Sequence, residues 1–222
     1  MTKAAVVVFP GSNCEHDAVL GLELAGATAS LVWHTERDLT GFDLVVLPGG
    51  FAHGDYLRPG ALAVISPVMA AVSAFAERGG PVVGICNGFQ VLTEAGLLPG
   101  ALQKNDHLSF NCEDATLIVA NDRSSLTQGV AKGTKLSIPI NHFSGSYVCD
   151  AETLMHLQNN DQIVLRYAVN PNGSLDDIAG VCNEAGNVVG LMPHPERACS
   201  SLLGSVDGLV LLRALVEASV FA

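Results

Sequence analysis

The sequence has few positively charged residues. Its 222 residues include 11 lysines and arginines against 22 aspartates and glutamates, which gives a formal net charge of -11 at pH 7. Proteins that bind the phosphate backbone of nucleic acids need clusters of basic side chains. The charge balance therefore argues against a nucleic-acid partner, and an acidic surface of this kind mainly promotes solubility.

The sequence also lacks long hydrophobic runs. Its longest apolar runs, such as residues 4–9 before Pro10, are far shorter than the roughly 18 residues that a membrane-spanning helix needs. The N-terminal segment lacks the charged region, apolar stretch and cleavage site of a secretory signal. We therefore expect a cytosolic protein without a membrane span.

Cysteine pairs are missing as well. Six cysteines are scattered singly along the chain, with no C-x-x-C spacing, and a chain of this length does not need disulfide bonds for stability. We expect free thiols. His53, Asp55 and His142 have side chains that metals bind, but the H-E-x-x-H and paired-cysteine motifs of metal sites are absent. We therefore expect no metal.

The apolar pattern of the N-terminal half alternates between strands and helices. The predicted strands are residues 4–9, 30–34 and 44–47 and an apolar run that ends before Cys86. The predicted helices run from a cap at Ser12 or Asn13 to about residue 25, and from about residue 61 to 78. This alternation predicts an α/β fold with a flavodoxin-like, doubly wound and mostly parallel sheet. The length suits a single domain, residues 1–222.

The pattern changes after Gly96, where short strands are joined by turns. The predicted strands of this half are residues 117–120, 135–138, 163–167, 178–181 and 188–191. Such spacing favours additional antiparallel strands in the C-terminal half. Residues 202–222 have an amphipathic pattern with Asp207, Arg213 and Glu217 on the polar side, which predicts a closing helix.

Cys86 is the best candidate for a nucleophile. It stands between Gly84 and Gly88, where an apolar run meets a helical pattern, and G-x-C-x-G is the spacing of a nucleophile elbow. Unpaired N–H groups at the helix N-terminus favour a thiolate there, and the Asn87 N–H is placed to bind an oxyanion. The alternative is a buried structural cysteine, the usual state of cysteine in an intracellular core.

His194 is the best candidate for the base that a cysteine nucleophile needs. It lies between Pro193 and Pro195, and both prolines restrict the backbone to extended geometry. Residues two apart in an extended segment project to the same side, so Glu196 can orient the His194 ring. This predicts a Cys86-His194-Glu196 triad. The alternative is a surface histidine in a proline-rich turn.

Gly50 is the candidate for a second oxyanion donor beside Asn87. The segment Pro48-Gly49-Gly50 ends another predicted strand, and in doubly wound sheets ligands bind beyond the carboxyl ends of the strands. Glycine lets a backbone N–H turn toward a substrate oxygen. The alternative is an ordinary turn between a strand and a loop.

Together these motifs resemble those of the class I glutamine amidotransferases. The shared segments are GICNGFQ at 84–90, PGG at 48–50 and MPHPER at 192–197. A narrower resemblance, to the glutaminase subunits of phosphoribosylformylglycinamidine synthase in purine biosynthesis, also includes residues 9–14, 54–58 and 170–174. The resemblance implies that Cys86 attacks the side-chain amide of glutamine, which gives a thioester and ammonia, and that water then releases glutamate.

The resemblance also implies partners and substrate contacts. Ammonia would pass to a large synthetase subunit, which uses ATP and Mg²⁺ to make the amidine, and a third, small subunit would bridge the two. This chain would carry no cofactor. The residues implied in binding the α-carboxylate and α-amino groups of glutamine are Gln90, Asn141, His142, Phe143 and Ser144.

The sequence differs from the family pattern in two places. It has His142-Phe143-Ser144-Gly145 where the family usually has His-Gly-Glu-Gly, and Cys112-Glu113 where an arginine usually follows the cysteine. The first difference bears on the glutamine contacts near residue 143. The second bears on a contact of unknown place, for which the synthetase is one candidate.

Two other functions are compatible with parts of the pattern. Peptidases and deglycases on similar folds share the cysteine elbow, and a regulatory binding module can keep the fold without catalysis. The segment 192–196 and the similarity along the whole chain favour amide transfer over the first. The presence of cysteine, histidine and glutamate together disfavours the second.

Overall fold

The computed structural model describes residues 1–220, in which strands and helices alternate. The strands are β1 (Lys3–Val8), β2 (Thr28–Trp33), β3 (Leu44–Leu47), β4 (Val82–Ile85), β5 (Ala101–Gln103), β6 (Asn111–Val119), β7 (Lys135–His142), β8 (Ser146–Val148), β9 (Ile163–Tyr167), β10 (Ile178–Cys182) and β11 (Val188–Leu191). The α-helices are α1 (Glu15–Leu24), α2 (Pro67–Glu77), α3 (Asn87–Glu94), α4 (Ala151–Asn159) and α5 (Gly208–Ala218).

A nine-stranded sheet forms the centre of the protein. Its strand order is β2-β1-β3-β4-β11-β10-β9-β6-β7. The pairs from β2 to β11 are parallel, and the pairs from β11 to β7 are antiparallel. The predicted α/β fold with antiparallel strands in the C-terminal half is therefore confirmed. Strands β5 and β8 form a separate antiparallel pair.

The central parallel strands are apolar because both of their faces are covered. Every residue of β3, β4 and β11 is buried, as expected for the central strands of a parallel sheet. Helix α3 packs on β4 and β11, while α1 contacts β1 and α5. The apolar side chains of these strands and helices form one continuous core.

The sheet brings three distant segments to one edge. Leu47 of β3 pairs with Gly84 of β4, and Leu191 of β11 pairs with Ile85 of β4. Because these three strands are parallel, the loops that follow them leave the sheet on the same side. The sheet therefore sets residues 48–51, Cys86 and residues 192–197 next to one another.

Three predicted helix boundaries differ from the structure. Helix α1 is capped by Cys14, not by Ser12 or Asn13. The helix predicted from about residue 61 to 78 is a short turn at Ala63–Ile65 followed by α2, which starts at Pro67, because proline favours the first turn of a helix. The closing helix starts only at Gly208, and its predicted end at residue 222 lies outside the described residues. Among residues 1–220, no helix is long and apolar enough to cross a membrane.

Candidate active site

Cys86 occupies a sharp turn between β4 and α3. Its backbone is left-handed, with φ of 50° and ψ of -105°, a conformation that is strained for a residue with a side chain. Its N–H donates to the Leu191 carbonyl at 2.7 Å. A Cβ at Gly88 would collide with the Leu47 carbonyl oxygen, so this crossing of strand and helix requires glycine. The result is the geometry of a nucleophile elbow.

His194 and Glu196 form a buried pair beside this turn. The Nδ1 atom of His194 lies 2.6 Å from Oε1 of Glu196, and the two residues are 1% and 3% exposed. The backbone N–H of His194 donates to the Pro139 carbonyl at 2.8 Å, which holds this segment against β7. The carboxylate therefore fixes the orientation of the ring and leaves Nε2 on the opposite side.

The charge state of His194 is set by this environment. Burial alone would lower the pKa of the imidazole, but the Glu196 carboxylate and a Cys86 thiolate favour the charged form. The net effect is a pKa well above the usual value for histidine. Within residues 1–220 the Nε2 atom of His194 has no hydrogen-bond partner, and the thiols of Cys86 and Cys14 are its polar neighbours.

A cavity of about 400 Å³ opens above Cys86. The predicted site residues that line it are Gly50, Cys86, Gln90, Asn141, His142, Phe143, Ser144 and His194. Glu196 and Asn87 do not line it: the first lies behind His194 and the second begins α3. The Cys86 sulfur lies 3.7 Å from the Asn141 carbonyl oxygen. One pocket thus contains the candidate nucleophile, the candidate base and the candidate substrate-binding residues.

The two candidate oxyanion donors are unoccupied by protein acceptors. Within the described residues, neither the backbone N–H of Gly50 nor that of Asn87 donates to another backbone group. Gly50 has φ of 142° and lies in an isolated bridge with Ser12. Asn87 is the first residue of α3, where helix geometry leaves the N–H without an intrahelical partner. Both N–H groups can therefore donate hydrogen bonds to a negatively charged oxygen.

Gln90 is held by a network of buried amides. Its Nε2 donates to the Ser144 carbonyl at 2.6 Å, and its Oε1 accepts from Asn87 Nδ2 at 2.9 Å. The same Nδ2 atom donates to Asp55 at 3.2 Å, while Asn87 Oδ1 accepts from the Ala52 N–H at 2.9 Å. Gln90 therefore ties α3 to the loop that follows β7, and most of its amide is already engaged.

The loop after β7 is pinned by Asn105. This residue is fully buried; its Nδ2 donates to the His142 carbonyl and its Oδ1 accepts from the Gly145 N–H. Phe143, where the family resemblance predicts a glycine, is 37% exposed at the cavity rim. The Lys104 ammonium lies 5.8 Å from the centre of the Phe143 ring. The side chain at position 143 thus points out of the core and does not fill the cavity floor.

Comparison with known proteins assigns the family. The sequence profile of the CobB/CobQ-like glutamine amidotransferase domain matches residues 1–207. The chain belongs to this family.

Individual relatives of this amidotransferase cover nearly its whole length. The phosphoribosylformylglycinamidine synthase subunit PurQ of Lacticaseibacillus paracasei is 55% identical over 97% of the chain and 95% of the relative. The protein of the same name from Thermus thermophilus is 54% identical over 96% of the chain and 97% of the relative. A solved structure of PurLQS from Thermotoga maritima matches with a TM-score of 0.90 and 45% identity, covering 97% of this chain and 98% of that one. The predicted resemblance is thereby confirmed.

Two buried histidines of this amidotransferase should differ in protonation state at about pH 6. Burial, and then the charge of His194, lower the pKa of His142 to about 4, whereas the pKa of His194 is raised. Roughly 1% of His142 is then protonated two pH units above its pKa. Histidine ring nitrogen chemical shifts, assigned with His142→Gln and His194→Gln, should show a neutral His142 and an imidazolium at His194. A His142 midpoint near 6.5 would contradict this.

The lowered pKa of His142 also makes the free energy of unfolding depend on pH. An unfolded chain protonates His142 near pH 6.5, but the folded chain does so only near pH 4. The unfolded state therefore binds more protons between these values, and this histidine lowers the free energy of unfolding as the pH falls from about 6.5 to about 4.

Several residues of the cavity had no predicted role in the site, among them Cys14 and Asp55. Cys14, which caps α1, has its sulfur 3.2 Å from Nη2 of Arg197, whose Nε donates to Asp17. Asp55 lines the same cavity. Nothing in the spacing of either residue distinguishes it, because both reach the site through loops whose course depends on tertiary contacts.

Cys14 also belongs to a group of three side chains of a kind that metals bind. Ligand atoms of Cys14, His194 and Glu196 lie within 4.8 Å of one another. This is a donor set that a soft divalent ion accepts. It uses the candidate base, however, and the Arg197 guanidinium beside the Cys14 sulfur opposes a second positive charge. The absence of a metal therefore stays a prediction.

Proposed function

We propose that the chain is the glutaminase subunit of a phosphoribosylformylglycinamidine synthase, with Cys86 as the nucleophile, His194 as the base and Glu196 as the residue that orients it. It hydrolyses glutamine to glutamate and supplies the ammonia to a synthetase in purine biosynthesis. The observation that carries the proposal is the buried His194-Glu196 pair, 2.6 Å between Nδ1 and Oε1, beside a cysteine in elbow geometry.

The first step is attack on the glutamine amide. The Cys86 thiolate bonds to the amide carbon, and the resulting oxyanion is stabilised by the N–H groups of Gly50 and Asn87. The imidazolium of His194 then gives its proton to the departing nitrogen, so ammonia leaves and a thioester remains. Because Glu196 stabilises the charged ring, it holds this proton ready at the face toward the cavity.

The second step is hydrolysis of the thioester. His194, now neutral, takes a proton from water, whose oxygen attacks the carbonyl carbon. The same two N–H groups bind the second oxyanion, and its collapse releases glutamate and the Cys86 thiolate. Protein groups supply every role in this half-reaction, so it requires no cofactor. ATP and Mg²⁺ serve the synthetase partner.

The assembly and location follow from the same proposal. Like the PurQ subunits to which it is similar, this subunit works with a large synthetase and a small bridging subunit. It contributes one glutaminase domain, residues 1–222. The six cysteines are free thiols, which suits a reducing compartment, and we place the protein in the cytoplasm.

Reconstitution tests the proposal. We expect the chain to co-purify with a synthetase and a small subunit of the synthase, and the complex to form the amidine with glutamine as nitrogen donor and release glutamate. Complex formed without this chain should use ammonium salts but not glutamine. Peptide hydrolysis without glutamine turnover would contradict the proposal.

A further inference from the structure

Asp55 contributes a carboxylate to the cavity above Cys86 that has no cationic partner. It lines this cavity together with Cys86 and Gln90. Its Oδ1 accepts one hydrogen bond, from Asn87 Nδ2 at 3.2 Å. Within the part of the chain that the structure describes, no lysine or arginine forms an ion pair with it. A half-buried carboxylate without a counter-ion is costly unless a ligand supplies the positive charge.

The backbone around Asp55 is strained to hold it there. His53, Asp55 and Leu57 are left-handed, with φ of 53°, 53° and 69°, a conformation that costs energy for residues with side chains. The loop is anchored at both ends of this stretch, by the Ala52 N–H on Asn87 and by the ion pair of Arg58 with Glu94 of α3. The surrounding structure thus fixes where the Asp55 carboxylate lies.

The other charged groups around the cavity are already paired. Arg197 is engaged by Asp17 and the Cys14 sulfur, and His194 by Glu196. Asp55 is therefore the acidic group of this cavity that remains for a ligand. A free amino acid at neutral pH carries an ammonium group, which a carboxylate binds through a charge-assisted hydrogen bond.

We propose that the Asp55 carboxylate binds the α-ammonium group of glutamine and selects a substrate with a free amino group, an inference that rests on the proposed function. Gln90 then acts as a positioning residue, because its amide oxygen accepts from the same Asn87 amide that holds Asp55. The α-carboxylate is left to other donors of the cavity.

The charge of Asp55 links this contact to pH. Burial raises the pKa of Asp55 to about 6, although the hydrogen bond from Asn87 opposes the shift. The titratable and charged groups nearby are His53, whose pKa is lowered by burial and by His34, and Arg58 on its own loop, Glu94 of α3, and Lys104 and Asp106 after β5. Across the cavity lie Cys86, His142, His194 and Arg197. Substrate binding through Asp55 should therefore weaken as the pH falls below about 6, unlike binding in a neutral variant.

The test compares three probes of Cys86 on the same protein. The first probe is a diazoketone analogue of glutamine, which binds as an amino acid and then alkylates the nucleophile. The second is the same diazoketone without the α-amino group, so it lacks the ammonium. The third is iodoacetamide, which lacks both the α-ammonium and the α-carboxylate groups. In Asp55→Asn, which keeps an oxygen for Asn87 but removes the charge, labelling by the first probe should slow roughly 10- to 100-fold. The other two probes should label at wild-type rates, within about twofold.

A matched control and the possible outcomes separate this inference from the function on which it rests. Asp122→Asn neutralises an exposed aspartate that lies outside this cavity and outside the group of charges around Asp55, and it should change none of the three rates. Equal slowing by all three probes, or no slowing with the amino acid probe, would overturn the role of Asp55. Wild-type protein that the glutamine analogue fails to label, and whose complex does not hydrolyse glutamine, would overturn the proposed function itself.

Discussion

Replacement of Cys86 by serine is expected to lower the rate of glutamine-dependent amidine formation by roughly four orders of magnitude or more. The elbow holds Cys86 at the N-terminus of α3, 6% exposed and next to the buried His194-Glu196 pair. A serine hydroxyl at this position is a much weaker nucleophile, because far less of it is ionised near neutral pH. The exchange is close to isosteric, so the fold and the assembly with the synthetase should persist.

Ammonium salts provide the decisive internal comparison for this variant. Because the synthetase receives ammonia as such, a Cys86→Ser complex should form the amidine from ammonium at close to the wild-type rate. Cys112→Ser is the matched control: Cys112 is exposed on β6, and its loss should leave both nitrogen donors active. Glutamine-dependent activity within tenfold of wild type in Cys86→Ser would exclude this residue as the nucleophile.

The parallel part of the fold could be predicted because its physical signal is local. Runs such as Leu44–Leu47 and Val188–Leu191 are apolar on both faces, which is the pattern expected of strands covered on both sides. The helix starts were harder to predict. Serine is a common N-cap residue, but Ser12 forms an antiparallel β-bridge with Gly50, and α1 begins only after Cys14. The predicted helix start at residue 202 lies within a similar bridge, between Ser200 and Ser205, and α5 begins only at Gly208.

The candidate triad could be inferred because each member has a local sequence signal. Glycines flank Cys86, prolines flank His194, and Glu196 follows at a spacing of two. The extended geometry predicted for this last segment is wrong, because Pro195–Arg197 form a 3-10 turn, and Glu196 reaches the His194 ring from that turn. Their proximity then follows from topology, since β4 and β11 are adjacent parallel strands. Asp55 and Cys14 lie in segments that the family resemblance covers, but neither has a flanking pattern that assigns it a role in catalysis. Their positions depend on contacts across the chain, with Asn87 in one case and Arg197 in the other.

The second large effect is expected at His194. Replacing it with asparagine removes both the proton donor for ammonia and the base for thioester hydrolysis, so glutamine-dependent activity should fall roughly 1,000-fold or more. The loss should appear in the turnover rate, since the ring is 1% exposed and its Nδ1 is occupied by Glu196. Ammonium-dependent activity of the complex should again persist.

The rate of Cys86 alkylation distinguishes a base from a structural histidine. In the wild type the imidazolium of His194, stabilised by Glu196, places a positive charge beside the Cys86 sulfur. His194→Asn removes that positive charge, and alkylation by iodoacetamide at a fixed pH should become slower. His156→Asn is the matched control, because His156 also pairs with a glutamate, Glu184 at 3.0 Å, but on the exposed surface. An unchanged alkylation rate in His194→Asn would show that this ring neither charges the sulfur nor serves as its base.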